Sequence, residues 1–227
     1  MINTSKLMTR LLSAIILGPL VLFIIYLGGI PFLILGVLTA FITLSEWLNI
    51  AKKSPSFTIM LVKGWLYTLL AFASFMYLRT TDHGMLLTFT MLITIWASDS
   101  GAYFFGKLMG KHPLAASISP NKTWEGFGGA MFFAALFFTI MFYGLGLYES
   151  AHDFAVPKII IAIAVGGCLG ATGQIGDLFI SIQKRKADVK DTGNLIPGHG
   201  GILDRIDALM LACPVYLAIM MIWGIAS

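Results

Sequence analysis

Charge is what this chain has least of. Of its 227 residues, 15 are Lys or Arg and 11 are Asp or Glu, 11% together, while 58% are hydrophobic. A soluble domain carries about 25% charged and about 45–50% apolar residues. A soluble core of this size could not hide so much apolar surface, so the class is polytopic membrane protein. Cysteine is scarce as well. Cys168 and Cys213 lie in apolar runs, excluding a disulfide framework and a multi-cysteine zinc site, and they read as small packing residues. Missing too is any basic arm or basic helix face. The net charge of +4 comes from residues clustered in short loops, which excludes nucleic acid as a partner. No internal repeat, soluble module or low-complexity linker interrupts the chain. One integral-membrane domain, 1–227, is expected.

Long apolar runs fill the space left by these absences. A spanning helix needs about 20 mostly apolar residues, and seven segments qualify: 10–29, 30–51, 63–79, 84–107, 126–148, 157–182 and 206–226. The fold class that follows is an all-α transmembrane bundle of about seven spans. The first segment is not read as a signal peptide, because no small-residue cleavage site separates it from the next span. Basic residues set the orientation. With the N-terminus inside, 13 Lys and Arg fall on cytoplasmic loops and two, Arg79 and Lys158, outside. The N-terminus is therefore expected in the cytoplasm and the C-terminus outside. Trp47, Trp65, Trp96, Trp124 and Trp223 fall near span ends, where interfacial anchoring is the default reading.

Polar residues at the ends of spans carry the functional information, because lipid makes them expensive. Asp99, Tyr103 and Gly106 recur at i, i+4 and i+7 on the fourth span. The loop Ser119-Pro-Asn-Lys122-Thr-Trp-Glu125 sets a lysine just before the fifth span, a plausible anion site taken alone. On the sixth span, Ala162, Gly166 and Gly170 form a small-residue stripe suited to dimer or bundle packing. Further along, Asp177, Ser181 and Lys184 descend one face. The densest polar stretch runs from Lys184 to Asp207, with a pinched Pro197-Gly-His199-Gly-Gly201 turn before a last span that opens with Asp204, Arg205 and Asp207. Carboxylates without a His or Cys cluster suit a hard cation such as Mg²⁺, and Lys and Arg beside them suit phosphate. The chemistry indicated is Mg²⁺-assisted phosphoryl or nucleotidyl transfer on a lipid at the cytoplasmic face. A cation-coupled transporter is the rival; it would favour repeated halves and acids at mid-membrane.

The run Ser181-Ile-Gln-Lys184-Arg185, then Lys190-Asp191-Thr-Gly193, then Pro197-Gly-His199-Gly-Gly-Ile-Leu-Asp204-Arg205-Ile-Asp207 resembles the signature of the phosphatidate cytidylyltransferases, or CDP-diacylglycerol synthases. Asp99-Ser-Gly-Ala-Tyr103 and Ser119-Pro-Asn-Lys122-Thr-Trp-Glu125-Gly are similar to that family's other common stretch. The resemblance covers 96–127 and 173–212, and Gln183 departs from it by replacing an apolar residue. It implies transfer of a cytidylyl group from CTP to phosphatidic acid at a bacterial inner membrane, by a protein that forms homodimers. By the same resemblance Asp177 and Asp204 would jointly hold Mg²⁺, with room for a second cation such as K⁺. Lys184, Arg185, Asp207 and Asp99 are the expected catalytic residues. Ser119, Lys122, Ser181, His199 and Arg205 are the expected substrate contacts. Another CTP-using membrane enzyme, such as a polyprenol kinase, shares the setting and the nucleotide.

Overall fold

Helices account for nearly all of the structure, a computed structural model that describes residues 4–196 and 200–226, with side chains from residue 15 onward. In chain order the elements are α1 Thr4–Leu27, α2 Gly29–Lys53, α3 Phe57–Thr80, α4 Gly84–Met109, β1 Pro113–Ala115, β2 Ser119–Thr123, α5 Trp124–Gly144, α6 Leu147–Ser150, α7 Lys158–Lys186 and α8 Leu203–Ile222. Among the described residues, six of these helices are long and apolar enough to cross a membrane. They correspond to the second through seventh expected spans. The first expected span, 10–29, is α1, whose stretch Ile15–Leu27 is apolar but shorter than those six and stands outside that count. The chain is an all-α, multi-pass membrane protein. Its surface agrees with that class, since Ile30, Val37, Leu38 and Phe41 of α2 all point outward. In water such a face would be a docking site or a liability; in lipid it is the solvated side.

The chain packs as two compact units, Met1–Phe72 with Gln183–Ile206, and Ala73–Ile182 with Asp207–Ser227. In the first unit, α1 turns into α2 through Gly28 and Gly29, at φ 65° and 53°, a left-handed pair that side chains would resist. Trp47 is fully buried here, and a Cβ on Gly64 would collide with its indole, so α2 and α3 touch at that point. The expected anchor is therefore a packing residue. The C-terminal end of α7 also lies in this unit. Asp188 takes a positive φ of 52°, Val189 donates its N–H to the Lys184 carbonyl at 2.9 Å, and Asp188 donates to Arg185 at 3.1 Å. This double closure satisfies two orphan carbonyls and turns the chain into the polar loop.

In the second unit, close helix approach organises the packing. A Cβ on Gly101 of α4 would strike the Gly129 carbonyl of α5, and one on Gly129 would stand 2.7 Å from the Gly101 carbonyl. Of the stripe, Gly166 and Gly170 pack against α5, with Cβ atoms there falling 2.7–2.8 Å from the Ala134 and Ala130 carbonyls, and Ala162 is buried. Small residues thus let backbones meet where lipid supplies no hydrophobic drive. Trp223 is buried and stacks on Phe142 at 4.5 Å, so it too packs inside rather than anchoring at an interface. Trp65, Trp96 and Trp124 are exposed, as anchors should be.

One element departs from a purely helical reading. Between α4 and α5, β1 and β2 pair antiparallel, with Pro113 opposite Thr123 and Ala115 opposite Ser119. Its base is closed by Glu125, whose Oε1 pairs with His112 Nδ1 at 2.6 Å and whose Oε2 accepts the His112 N–H at 3.3 Å. The Trp124 N–H, bonded to the His112 carbonyl at 3.0 Å, completes the closure.

Candidate active site

The hairpin leads directly into α5. Thr123 caps that helix, its hydroxyl oxygen accepting the Gly126 N–H at 3.1 Å, so the preceding Lys122 is fixed at the hairpin's end. Lys122 reaches the α7 carboxylate of Asp177 at 2.6 Å and the Gln174 carbonyl at 3.5 Å. Ser181, one turn further along α7, donates its hydroxyl to the other oxygen of Asp177 at 3.2 Å. Gln174, one turn before Asp177, gives an amide N–H to Asp99 at 3.1 Å. A cavity of about 280 Å³ opens here, lined by Asp99, Tyr103, Asn121, Lys122, Gln174 and Asp177 among others. Four of the expected residues thus come together in the second unit: Asp99, Lys122, Asp177 and Ser181. Ser119 does not join them; it sits at the turn end of β2 opposite Ala115 and is not among the described cavity-lining residues.

In the first unit the structure pairs Lys184 with Asp204 at 2.8 Å. The side chains are 12% and 5% exposed, so this is a nearly dry ion pair rather than a hydrated span end. The second Asp204 oxygen accepts the Thr192 N–H at 2.8 Å and the Gly201 N–H at 3.1 Å, and lies 3.0 Å from the Thr192 hydroxyl. Each of these donors favours the charged carboxylate. Arg185 and Arg205 are exposed; Arg185 also donates to the Val189 carbonyl at 3.4 Å. In the second unit, Asp207 folds back onto its own helix and accepts the Ala208 N–H at 2.8 Å. His199, with Pro197 and Gly198, lies outside the described residues.

Three polar residues in these clusters were not expected from the sequence: Gln174, Thr192 and Glu46. Glu46 is 5% exposed on α2, and its oxygens accept the N–H groups of Ile202 at 2.9 Å and Leu203 at 2.8 Å and the Thr192 hydroxyl at 2.9 Å. A signal for it existed. An acid inside an apolar run is a functional candidate by default, and Glu46 interrupts the second span.

The donor chemistry can be weighed against the cation that the sequence suggested. Among the described residues no group of three or more His, Cys, Asp or Glu is gathered to hold a metal. Asp177 and Asp204 are hard oxygen donors, and Mg²⁺ is a cation that takes one or two protein carboxylates beside waters and substrate phosphates.

A family model described as "Cytidylyltransferase family" matches residues 56–223. The chain belongs to the cytidylyltransferase family. It is similar to the phosphatidate cytidylyltransferase of Rickettsia bellii (strain RML369-C), 34% identical over 212 residues, which are 93% of this chain and 89% of that protein. It is also similar to the phosphatidate cytidylyltransferase of Bacillus subtilis (strain 168), 41% identical over 150 residues, 66% of this chain and 53% of that one. That of Haemophilus influenzae is 40% identical over 141 residues, 62% and 47% of the two chains. The matched region spans about half the length of the Bacillus and Haemophilus proteins. Both lysine–aspartate pairs of this cytidylyltransferase-family chain fall inside the matched residues, whereas Glu46 precedes them.

Proposed function

We propose that the protein transfers the cytidylyl group of CTP to phosphatidic acid, releasing pyrophosphate and leaving CDP-diacylglycerol in the membrane. The observation that carries this reading is the pair of lysine–carboxylate clusters, Lys122–Asp177 and Lys184–Asp204, on the residues of the family's motifs. The nucleophile is the lipid's own phosphate oxygen, largely ionised at neutral pH because a phosphate monoester has a second pKa of about 6. That oxygen bonds to the α-phosphorus, the α–β phosphoanhydride bond breaks, and pyrophosphate takes the electron pair. No side-chain base is required. The obstacle is repulsion between anions, and the chain meets it with Lys122 and Lys184 in the clusters and Arg185 and Arg205 on exposed positions nearby in sequence.

Asp177 and Asp204 are the carboxylates we assign to Mg²⁺ by resemblance, with Asp99 and Asp207 as the candidates for a second cation such as K⁺. Bound there, Mg²⁺ would neutralise phosphate charge and orient the leaving group. Ser181 orients Asp177, and Thr192 with Gly201 orients Asp204. Ser119 and His199 remain assigned to substrate contact by resemblance.

The setting proposed is a bacterial inner membrane, with a homodimer whose sites face the cytoplasm. The 13-to-2 distribution of basic residues supports that orientation. Asn194 is exposed; in a background lacking Cys168 and Cys213, Asn194→Cys should react in intact cells only with a membrane-crossing thiol reagent. Labelling by an impermeant reagent would reverse the orientation. The activity is tested by CTP-dependent pyrophosphate release from purified protein with phosphatidate, dolichol or no lipid. Release with phosphatidate alone is expected. Release with dolichol alone would assign a polyprenol-directed enzyme, and release with neither lipid would remove both readings.

A further inference from the structure

Glu46 sits outside the family match and takes no part in the chemistry assigned above, yet it is among the most enclosed acids of the chain. Among the described residues, its oxygens accept from two backbone N–H groups and a hydroxyl. Two glycines of the surrounding loop leave room for it. A Cβ on Gly193 would stand 3.0 Å from Glu46 Oε1, and one on Gly201 would stand 2.5 and 2.6 Å from its two oxygens.

Two of its three donors lead to Asp204. Leu203, whose N–H bonds to Glu46 Oε2, is the neighbour of Asp204 at the start of α8. Thr192, whose hydroxyl lies 2.9 Å from Glu46 Oε2, also gives its backbone N–H to Asp204 Oδ2 at 2.8 Å. That hydroxyl stands 3.0 Å from Asp204 Oδ2 as well and has a single proton to donate. The two carboxylates therefore share one hydroxyl, and a shift of Glu46 alters what Asp204 receives. A glutamate that merely closed the helix end would satisfy Ile202 and Leu203 and leave Thr192 alone.

We propose that Glu46 is a positioning residue: it fixes the Asp204–Lys184 pair by holding Thr192 and the first N–H groups of α8 from α2. The inference rests on the proposed role of Asp204 in cytidylyl transfer. The tests are Glu46→Gln, Thr192→Val and Thr192→Ser in purified, monodisperse protein. Readouts are kcat, KM for CTP, melting temperature, and Mn²⁺ binding followed by electron paramagnetic resonance without substrate. Residues that orient a ligand from behind are worth about 10- to 100-fold in metal affinity or activity. Glu46→Gln should lose that much in kcat and in Mn²⁺ affinity, with KM for CTP little moved. Thr192→Val should follow it in direction, and Thr192→Ser, which keeps the hydroxyl, should stay at the wild-type value.

Folded Glu46→Gln and Thr192→Val proteins with wild-type kcat and Mn²⁺ affinity, whatever their melting temperatures, would overturn the proposal. If Glu46→Gln fails to insert, the Thr192 pair decides on the same criterion. Wild-type protein that makes no CDP-diacylglycerol but binds Mn²⁺ would remove the proposed function, leaving the Mn²⁺ comparison to judge Glu46. Wild-type protein with neither property would remove both.

Discussion

Asp177 and Asp204 each accept from a lysine, at 2.6 and 2.8 Å, but the two carboxylates are held by different kinds of structure. Asp177 is 29% exposed at the edge of a cavity, and among the described residues its other oxygen accepts from the Ser181 hydroxyl, one turn away on the same helix. Its lysine arrives on a short hairpin closed at the base by a surface His112–Glu125 contact. Asp204 is 5% exposed, and its second oxygen receives two backbone N–H groups and approaches a hydroxyl that a second buried acid also holds. One carboxylate is set in advance by its surroundings; the other is left open to what enters the cavity. The same residue pair, Lys and Asp, thus carries different costs of removal in the two places.

The largest effect should separate them directly. Asp204→Asn and Asp177→Asn should each lose at least about 100-fold in turnover, on the order of 3 kcal/mol of transition-state stabilisation. Only Asp204→Asn should also unfold more easily, by about 1–3 kcal/mol, because its amide keeps one acceptor oxygen and must turn its NH2 either to the Lys184 ammonium or to the Thr192 and Gly201 N–H groups. Asp177→Asn should cost less than about 1 kcal/mol of stability, as expected of a partly hydrated pair. Thermal unfolding in detergent measures both. Equal stability losses would erase the distinction.

The lysines sharpen it. Lys184→Met should reduce turnover and lower stability by about 1–3 kcal/mol, since it leaves a nearly dry carboxylate short of its cation. Lys122→Met should reduce turnover with the melting temperature nearly unmoved. A Lys184→Met protein as stable as wild type would mean that the N–H groups around Asp204 suffice without the cation.

The spans were legible because their signal is additive: about 20 apolar residues in a row need no partner to be recognised. The i, i+4, i+7 spacing also put Asp177, Ser181 and Lys184 on one helix, as α7 confirms. What resisted reading was long-range. Glu46 meets its donors 146 to 157 positions away, and nothing in the local run Leu44-Ser-Glu46-Trp-Leu announces them. Lys184 stands in a basic segment at the end of a span, and nothing in that segment announces a buried partner 20 positions away. Trp47 and Trp223 looked like anchors from their place at span ends, yet one packs over Gly64 and the other stacks on Phe142 inside. The hairpin between α4 and α5 was hidden because its strands have three and five residues, too few to alternate.

The smallest effect belongs to the hairpin base. Glu125→Gln keeps one oxygen for the His112 backbone and exchanges the charged contact with the exposed His112 ring for an amide, so neither melting temperature nor turnover should move measurably. A clear loss of turnover with stability intact would show that the hairpin must be held closed for Lys122 to act, making the open cluster as preset as the other.

Cytidylyl transfer itself is tested most directly by where an isotope goes. Purified protein would be given phosphatidate vesicles, Mg²⁺ and CTP labelled with ³²P at either the α- or the γ-phosphate. Label from the α-position should enter the lipid extract, and label from the γ-position should leave entirely as pyrophosphate. Lipid labelled from the γ-position would mean phosphoryl transfer by a kinase, and an unlabelled lipid from both would leave the two clusters without the chemistry assigned to them.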